Sequence, residues 1–125
     1  MSQYEVKITE CSKELSAKER IAIKDTANAI KLDEATTDGN HVEINVDFYA
    51  ILSIHNEKSD DKDYDNYVIV DKSGEKYVTG SNSFFNSFKN IFDEMENEDE
   101  EWVLDVYRHP SKNYVGKDFI TCSIS

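Results

Sequence analysis

The sequence has few of the residues that build metal or thiol sites. It contains only two cysteines, Cys11 and Cys122, and their separation matches neither a CxxC pair nor a Cys/His metal spacing. Two such thiols, without a recognisable export signal, are typical of a reducing compartment. We therefore expect a cytoplasmic protein, located in the host cytoplasm if a phage encodes it.

Long apolar runs are also missing. No run approaches the roughly 20 apolar residues that a membrane-spanning helix needs, so no membrane association is expected. The segment "MSQYEVKITE" is alternating and charged, which predicts neither a secretory signal nor a transit peptide.

Basic residues are scarce relative to acidic ones. The chain has 14 Lys and Arg against 26 Asp and Glu, a formal net charge of −12. Because DNA is a polyanion, this imbalance argues against strong non-specific binding to duplex DNA. It does not exclude a local basic site.

Signatures of catalysis and cofactor binding are absent from the sequence. The three histidines His41, His55 and His109 have no neighbouring Cys or Asp in a recognised arrangement, and "GSNSF" lacks the second glycine and the lysine of a phosphate loop. The acidic segment "DDKDYDN" lacks the mid-loop glycine and final glutamate of an EF-hand. We expect no enzyme, no cofactor and no metal.

The apolar residues that are present form short periodic segments, which predicts one domain over residues 1–125. We divide it into an N-terminal extension, residues 1–41, and a core, residues 42–125. In the extension, "YEVKIT" alternates like a strand, and Ser16 with Glu19 matches a capping box for a short helix from about residue 16. The segment "LDEATTDGN" has the composition of a loop.

The core alternates strands with one helix. Alternation beginning at Val42 in "HVEINVDFYAILSIH" predicts a long strand, and "YVIVDKSGEKYVTG" predicts a hairpin. Apolar residues at helical spacing predict a helix over residues 83–95, capped by Ser81 or Ser83, that buries Phe84, Phe88, Ile91 and Phe92. The segments "WVLDVYRH" and "DFITCSI" are two further predicted strands.

This order of elements predicts a mainly β fold with one or two helices. Strand, strand, strand, helix, strand, strand is the order of an OB-fold-like, five-stranded curved antiparallel sheet or barrel, with the helix between strands three and four. The N-terminal strand and helix would extend it. A ferredoxin-like order fits less well, because it needs a helix between the first two strands. An unrelated α+β sheet carrying one helix stays open.

The segment "YRHPSKNYVGKDF", residues 107–119, concentrates cations and aromatic rings in this acidic chain. In an OB-fold, the loop between strands four and five and the loop between strands one and two flank the ligand face. Single-stranded nucleic acid is held by a cationic groove with aromatic platforms. The predicted nucleic-acid-binding residues are Tyr107, Arg108, Lys112, Tyr114 and Lys117 in the first loop, with Lys58, Tyr64 and Tyr67 in the second. Phe119 is a further candidate ring, although a core position is the simpler expectation for it, and Tyr107 could instead be a sheet residue that pairs across strands. A plain solvated turn has a similar composition.

A resemblance supports the same class of function. The stretch from "AIKLDEAT" through "FYAILSIHNEKSDDKDYDNYVIVDKSGEKYVTGSNSFFNSF" to "YRHPSKNYVGKDFITCSI", about residues 29–125, resembles small proteins encoded by phages and prophages of low-GC Gram-positive bacteria. Some of these are described as phage single-stranded DNA-binding proteins. The similarity is one of overall texture. It implies an OB-like fold and single-stranded DNA as a partner, without assigning residues.

Two functions follow as hypotheses. The first is a single-stranded DNA-binding accessory protein of phage DNA replication or recombination, working with phage proteins of those processes. The alternative is an acidic, anti-CRISPR-like inhibitor or DNA mimic that binds a host defence protein or another nucleic-acid-processing protein. The alternative draws on residues 93–101, which hold seven carboxylates in nine positions. The simpler interpretation of that run is a solvated helix end.

Overall fold

The computed structural model describes residues 4–58, 62–110 and 118–124. The strands are β1 Tyr4–Cys11, β2 Ile30–Lys31, β3 Val42–Ile44, β4 Val46–Asn56, β5 Asp63–Asp71, β6 Lys76–Thr79, β7 Leu104–Pro110 and β8 Asp118–Ile124. The α-helices are α1 Ala17–Lys24, α2 Leu32–Ala35 and α3 Asn82–Met95, and a 3-10 turn covers Thr37–Gly39. None of the helices in these ranges has the length and apolar character to cross a bilayer.

The protein is mainly β, as predicted, with 45% strand and 26% helix. The strands form a five-stranded sheet in the order β1-β4-β5-β6-β2 and a three-stranded sheet in the order β3-β7-β8. The strand predicted from Val42 is interrupted at Asn45, so β3 and β4 belong to different sheets. The described residues form no closed barrel, and the OB-like barrel is therefore not confirmed.

The chain divides into two compact units. Unit 1 comprises residues 1–30 and 47–80, and unit 2 comprises residues 31–46 and 81–125. Each unit is built from two separate segments, so neither coincides with the predicted core, residues 42–125.

The five-stranded sheet belongs mainly to unit 1, and its edge strand β1 comes from the predicted N-terminal extension. β1 pairs antiparallel with β4, from Tyr4 opposite Asn56, and the register shifts between Ile8 and Glu10. The predicted hairpin is β5 and β6. Its turn contains Gly74 at φ +94°, a backbone conformation that suits glycine because glycine has no Cβ.

Helix α1 closes the core of unit 1. The Ser16 hydroxyl accepts a hydrogen bond from the Glu19 N–H at 3.2 Å, and Glu19 Oε1 accepts one from the Ser16 N–H at 3.0 Å, which confirms the capping box. Ile23 of this helix is buried in the same cluster as Leu52 and Val68 of the sheet. The segment predicted as an extension therefore contributes to the core of this unit.

In unit 2, helix α3 lies against β8. Ser81 accepts the N–H of Phe84 at 3.2 Å and begins the helix as predicted. Ser83 Oγ donates to the Ile120 carbonyl at 3.3 Å, which ties the helix to the strand. The buried residues of α3 are Phe84, Phe85, Phe88 and Phe92. Ile91, predicted to be buried with them, is only half-buried.

The segment predicted as a loop at residues 32–40 contains helical turns instead. Leu32 is fully buried, and the buried Thr36 hydroxyl donates to its carbonyl at 2.8 Å. The local preference of this segment for helix is weak. The turn forms where Leu32 and Thr36 are buried, because a buried hydroxyl needs a partner and the Leu32 carbonyl supplies it. The following turn contains Asp38 and Gly39, both at positive φ.

Candidate functional site

The two sides of the three-stranded sheet differ in burial. Leu104 and Val106 of β7 and Ile120 and Cys122 of β8 are buried, whereas the residues that alternate with them are half-buried or exposed. Directly opposed residues of antiparallel strands have their side chains on the same side. The more exposed side therefore carries these residues: Asp105, Tyr107, His109, Phe119, Thr121 and Ser123.

Four aromatic rings gather on this side, and we call them the aromatic face: His41, Tyr107, His109 and Phe119. The rings of His41 and Tyr107 are stacked, with centroids 5.1 Å apart and planes at 22°. His109 and Phe119, which are cross-strand partners, have centroids 5.7 Å apart and planes at 40°. Phe119 is 38% exposed and the His41 side chain 57% exposed. Both pairs therefore keep surface accessible to a ligand.

Hydrogen bonds orient the two imidazoles. His41 Nδ1 lies 3.0 and 3.1 Å from the two carboxylate oxygens of Asp105, and His109 Nδ1 lies 2.9 Å from the Pro110 carbonyl. These oxygens accept, so Nδ1 carries the proton in each ring. His41 directly precedes β3, whose Glu43 is paired with Asp105 of β7, and this register brings the imidazole to Tyr107.

Sequence reasoning did not select His41 or His109 as site residues. The signal that could have found His109 and Tyr107 together is the alternation in "WVLDVYRH". There the buried residues Leu104 and Val106 alternate with the more exposed ones. His41 could not be found this way, because its contact with Tyr107 depends on the pairing of β3 with β7.

Arg108 was predicted to contact phosphate, but its guanidinium is held within unit 2. Nη1 donates to Asp118 Oδ1 at 2.9 Å and Nη2 donates to the Asp33 carbonyl at 2.7 Å. The side chain is only 25% exposed, and Nε is buried with no partner among the described residues. Because Arg108 alternates with Tyr107 along β7, its side chain lies on the other side of the sheet, opposite Ile120. Arg108 therefore has a structural role, since it connects β7 to β8 and to α2.

The other predicted residues of this segment, Lys112, Tyr114 and Lys117, lie outside the described residues and stay predictions. Of the residues predicted in the second loop, Lys58 is exposed just after β4, and its N–H donates to Asn56 Oδ1 at 3.0 Å. Lys58 belongs to unit 1, as do the two remaining candidates.

Tyr64 and Tyr67 lie in a strand and not in a loop, because β5 begins at Asp63. Tyr64 packs partly buried against the core of unit 1. Tyr67 is only 7% exposed, and burial, with a smaller contribution from Asp65, raises the pKa of its phenol. A buried ring has no open face for a base, so Tyr67 is removed from the candidate site.

His55 of β4 is held between two carboxylates. Nδ1 lies 2.7 Å from Asp63 Oδ1 and Nε2 lies 2.7 Å from Glu57 Oε1. The hydrogen bonds that the imidazole donates, chiefly to Asp63 and next to Glu57, raise its pKa. With a partner on each nitrogen, His55 has no lone pair free to accept a proton from a substrate. The contacts of His55 are therefore those of a structural histidine.

The described residues contain no group of three or more His, Cys, Asp or Glu arranged to hold a metal ion. Cys122 is buried, and burial together with the Asp105 charge raises the pKa of its thiol to about 12. Such a thiol is almost fully protonated at neutral pH and is therefore a poor nucleophile.

No protein family, no curated protein and no solved structure matches this chain. Inferences about its activity therefore depend on the chemistry of the aromatic face and of the segment that joins β7 to β8.

Proposed function

We propose that this chain is a single-stranded DNA-binding accessory protein of phage DNA replication or recombination, and that the aromatic face stacks against bases. The observation that supports the proposal is the gathering of four rings on the more exposed side of the three-stranded sheet. Every base offers a π-face, so aromatic platforms bind single strands with little sequence preference. Aromatic side chains on a sheet surface serve this purpose in other single-strand-binding folds.

The cations of this proposed site are Lys112 and Lys117. They belong to the segment between β7, which carries Tyr107, and β8, which carries Phe119. Arg108 is assigned to holding the ends of these strands together through Asp118. With two lysine contacts to phosphate, the salt dependence is modest, with a slope of about −1.4 in log affinity against log salt.

We also propose that the strands and helix of residues 42–125 follow one another in a variant of the OB-fold order. The succession of strands with α3 between β6 and β7 supports this relationship. In an OB-fold the loop between strands four and five lies beside the ligand face. The corresponding segment here follows β7, which carries Tyr107 and His109.

The experiment is fluorescence anisotropy with labelled oligothymidine at several salt concentrations. Phe119→Ala and Tyr107→Ala are each expected to weaken binding by about 1–3 kcal/mol and to leave the salt slope unchanged, because stacking releases no counterions. Lys112→Ala and Lys117→Ala are each expected to make the salt slope less steep by about 0.7.

Ile124→Ala is the matched control. Ile124 lies on the same strand as Phe119 and is 48% exposed, but the alternation of β8 puts its side chain on the other side of the sheet. It should bind like the parent. If the parent binds and the two ring variants bind as tightly as the Ile124 control, the aromatic face is not the stacking surface.

The acidic inhibitor is the second candidate, and one observation favours it. The described basic residues of unit 2 are Lys31, Lys89 and Arg108, and the last two contact the carboxylates of Asp93 and Asp118 at 2.7 and 2.9 Å. Residues 96–101 are exposed and mostly acidic. Absence of oligothymidine binding by the parent would favour this candidate. Its positive test is capture of a host nucleic-acid-processing protein by the parent and loss of capture when the carboxylates of residues 96–101 are replaced by amides.

A further inference from the structure

Strand β1 has one side of its backbone open for pairing. It is the terminal strand in the order β1-β4-β5-β6-β2, and no strand in the described ranges pairs with its outer edge. The other terminal strand, β2, has only two residues. An unpaired edge exposes a row of N–H and C=O groups that a further strand can use. This makes β1 the longer candidate edge for association within this sheet.

The first five residues of β1, residues 4–8, pair regularly with β4 and include two apolar side chains, Val6 and Ile8, which we call the apolar strip. Residues 4–8 pair with β4 in continuous register before the irregularity that follows Ile8. Val6 and Ile8 pack against the core of unit 1 but remain only partly buried. Burial of this strip against another strand would remove more apolar surface from water.

The opposite side of the same strand carries charges of alternating sign. Glu5 and Lys7 are two residues apart, so their side chains share one side of the sheet, and Nζ lies 3.8 Å from Oε1. The side chains are 56% and 70% exposed. Both side chains of this ion pair are therefore accessible to a neighbouring strand.

We propose that β1 pairs with β1 of a second copy of this chain, antiparallel and with a two-fold axis at Val6. This register places Glu5 opposite Lys7 of the partner subunit, and Lys7 opposite Glu5 of the partner subunit. Val6 then faces Val6 of the partner subunit on the core side. Opposite charges at directly opposed positions stabilise an antiparallel pair.

The neighbouring registers are disfavoured by the same physics. A two-fold axis at Glu5 or at Lys7 sets two like charges directly opposite each other, which is destabilising. A shift by one residue sets the apolar side of one strand beside the charged side of the other. Charges on an edge strand usually prevent pairing, but opposite signs at positions 5 and 7 favour this one register.

The assembly ends at two copies through this edge. A two-fold interface uses the same surface of both subunits, so each β1 edge is consumed when the dimer forms. The proposal concerns unit 1 and does not depend on whether the aromatic face of unit 2 binds DNA.

The test is sedimentation equilibrium of the full chain over a range of concentrations. The parent is expected to show a reversible monomer–dimer equilibrium. Lys7→Glu and Glu5→Lys are each expected to raise the dimer dissociation constant on the order of tenfold, because each sets like charges opposite each other twice. The double variant Glu5→Lys/Lys7→Glu restores opposite charges and is expected to return the parent value.

Lys72→Glu and Glu75→Lys on the exposed hairpin turn are controls for net charge, since they make the same charge changes away from β1. They should dimerise like the parent. Circular dichroism confirms that each variant is folded. A parent that stays monomeric, single reversals that match their controls, or a folded double variant that fails to recover dimerisation would each overturn the proposal.

Discussion

Replacing Arg108 by alanine separates a structural arginine from a DNA-binding one. The guanidinium donates to the Asp118 carboxylate at 2.9 Å and to the Asp33 carbonyl at 2.7 Å. Loss of these bonds should loosen β7, β8 and the start of α2 relative to one another. The Arg108→Ala variant should therefore unfold at lower urea concentration than the parent.

The expected loss of stability in Arg108→Ala follows from the kind of bond that the guanidinium makes to each partner and from its exposure. The Asp118 side chain is 50% exposed, so the ion pair contributes only about 0–1 kcal/mol. The charge-assisted bond to the Asp33 carbonyl contributes more, about 1.5–3 kcal/mol. Alanine also removes the buried Nε that lacks a partner among the described residues, which offsets part of the loss. The expected decrease in the free energy of unfolding is about 1–2 kcal/mol.

Urea unfolding and oligothymidine anisotropy should be measured on the same preparations. Lys112→Ala is the control, because a lysine whose proposed role is to contact phosphate should change the salt slope by about 0.7 without changing stability. Arg108→Ala should do the reverse, lowering stability and leaving the slope unchanged. If it unfolds like the parent and its slope falls as in the Lys112 control, the structural assignment is wrong.

Three further predictions concern the core and the titrating groups. Phe88 is fully buried against neighbouring rings, so its replacement by alanine should lower the free energy of unfolding of the protein by about 3–5 kcal/mol, measured by urea unfolding. A decrease below about 1 kcal/mol would contradict this packing. Cys122, with a pKa raised to about 12, should react with a thiol reagent much more slowly than Cys11 in the folded protein and equally fast in denaturant. His55 has a pKa raised in the folded state, so its contribution to stability is complete below about pH 6.5 and is lost as the pH rises through the folded pKa. An NMR titration of His55 that gives a midpoint at or below 6.5 would be inconsistent with the two carboxylate contacts.

Elements set by local sequence were predictable. The capping box of Ser16 and Glu19, the hairpin turn at Gly74 and the apolar spacing of α3 each depend on residues within a few positions of one another. For such elements the local preference and the final structure agree.

Features that depend on residues distant in the sequence were not predictable. Arg108 resembles a loop cation in the sequence, and only the approach of Asp118 and the Asp33 carbonyl gives it a structural role. The sequence places Tyr67 at the boundary between the second candidate loop and the predicted hairpin, and only the start of β5 at Asp63 shows that its ring is in a buried strand position. His41 joins Tyr107 through the register of β3 with β7, a pairing that no local pattern specifies.

NMR of the aromatic side chains during titration with oligothymidine tests the central claim most directly. Stacked bases shift the resonances of the rings they cover, so His41, Tyr107, His109 and Phe119 should shift together as the complex forms. The buried rings of Phe84 and Phe88 should change little. Saturable binding with shifts confined to rings outside the aromatic face, or no binding at all, would contradict the proposed function.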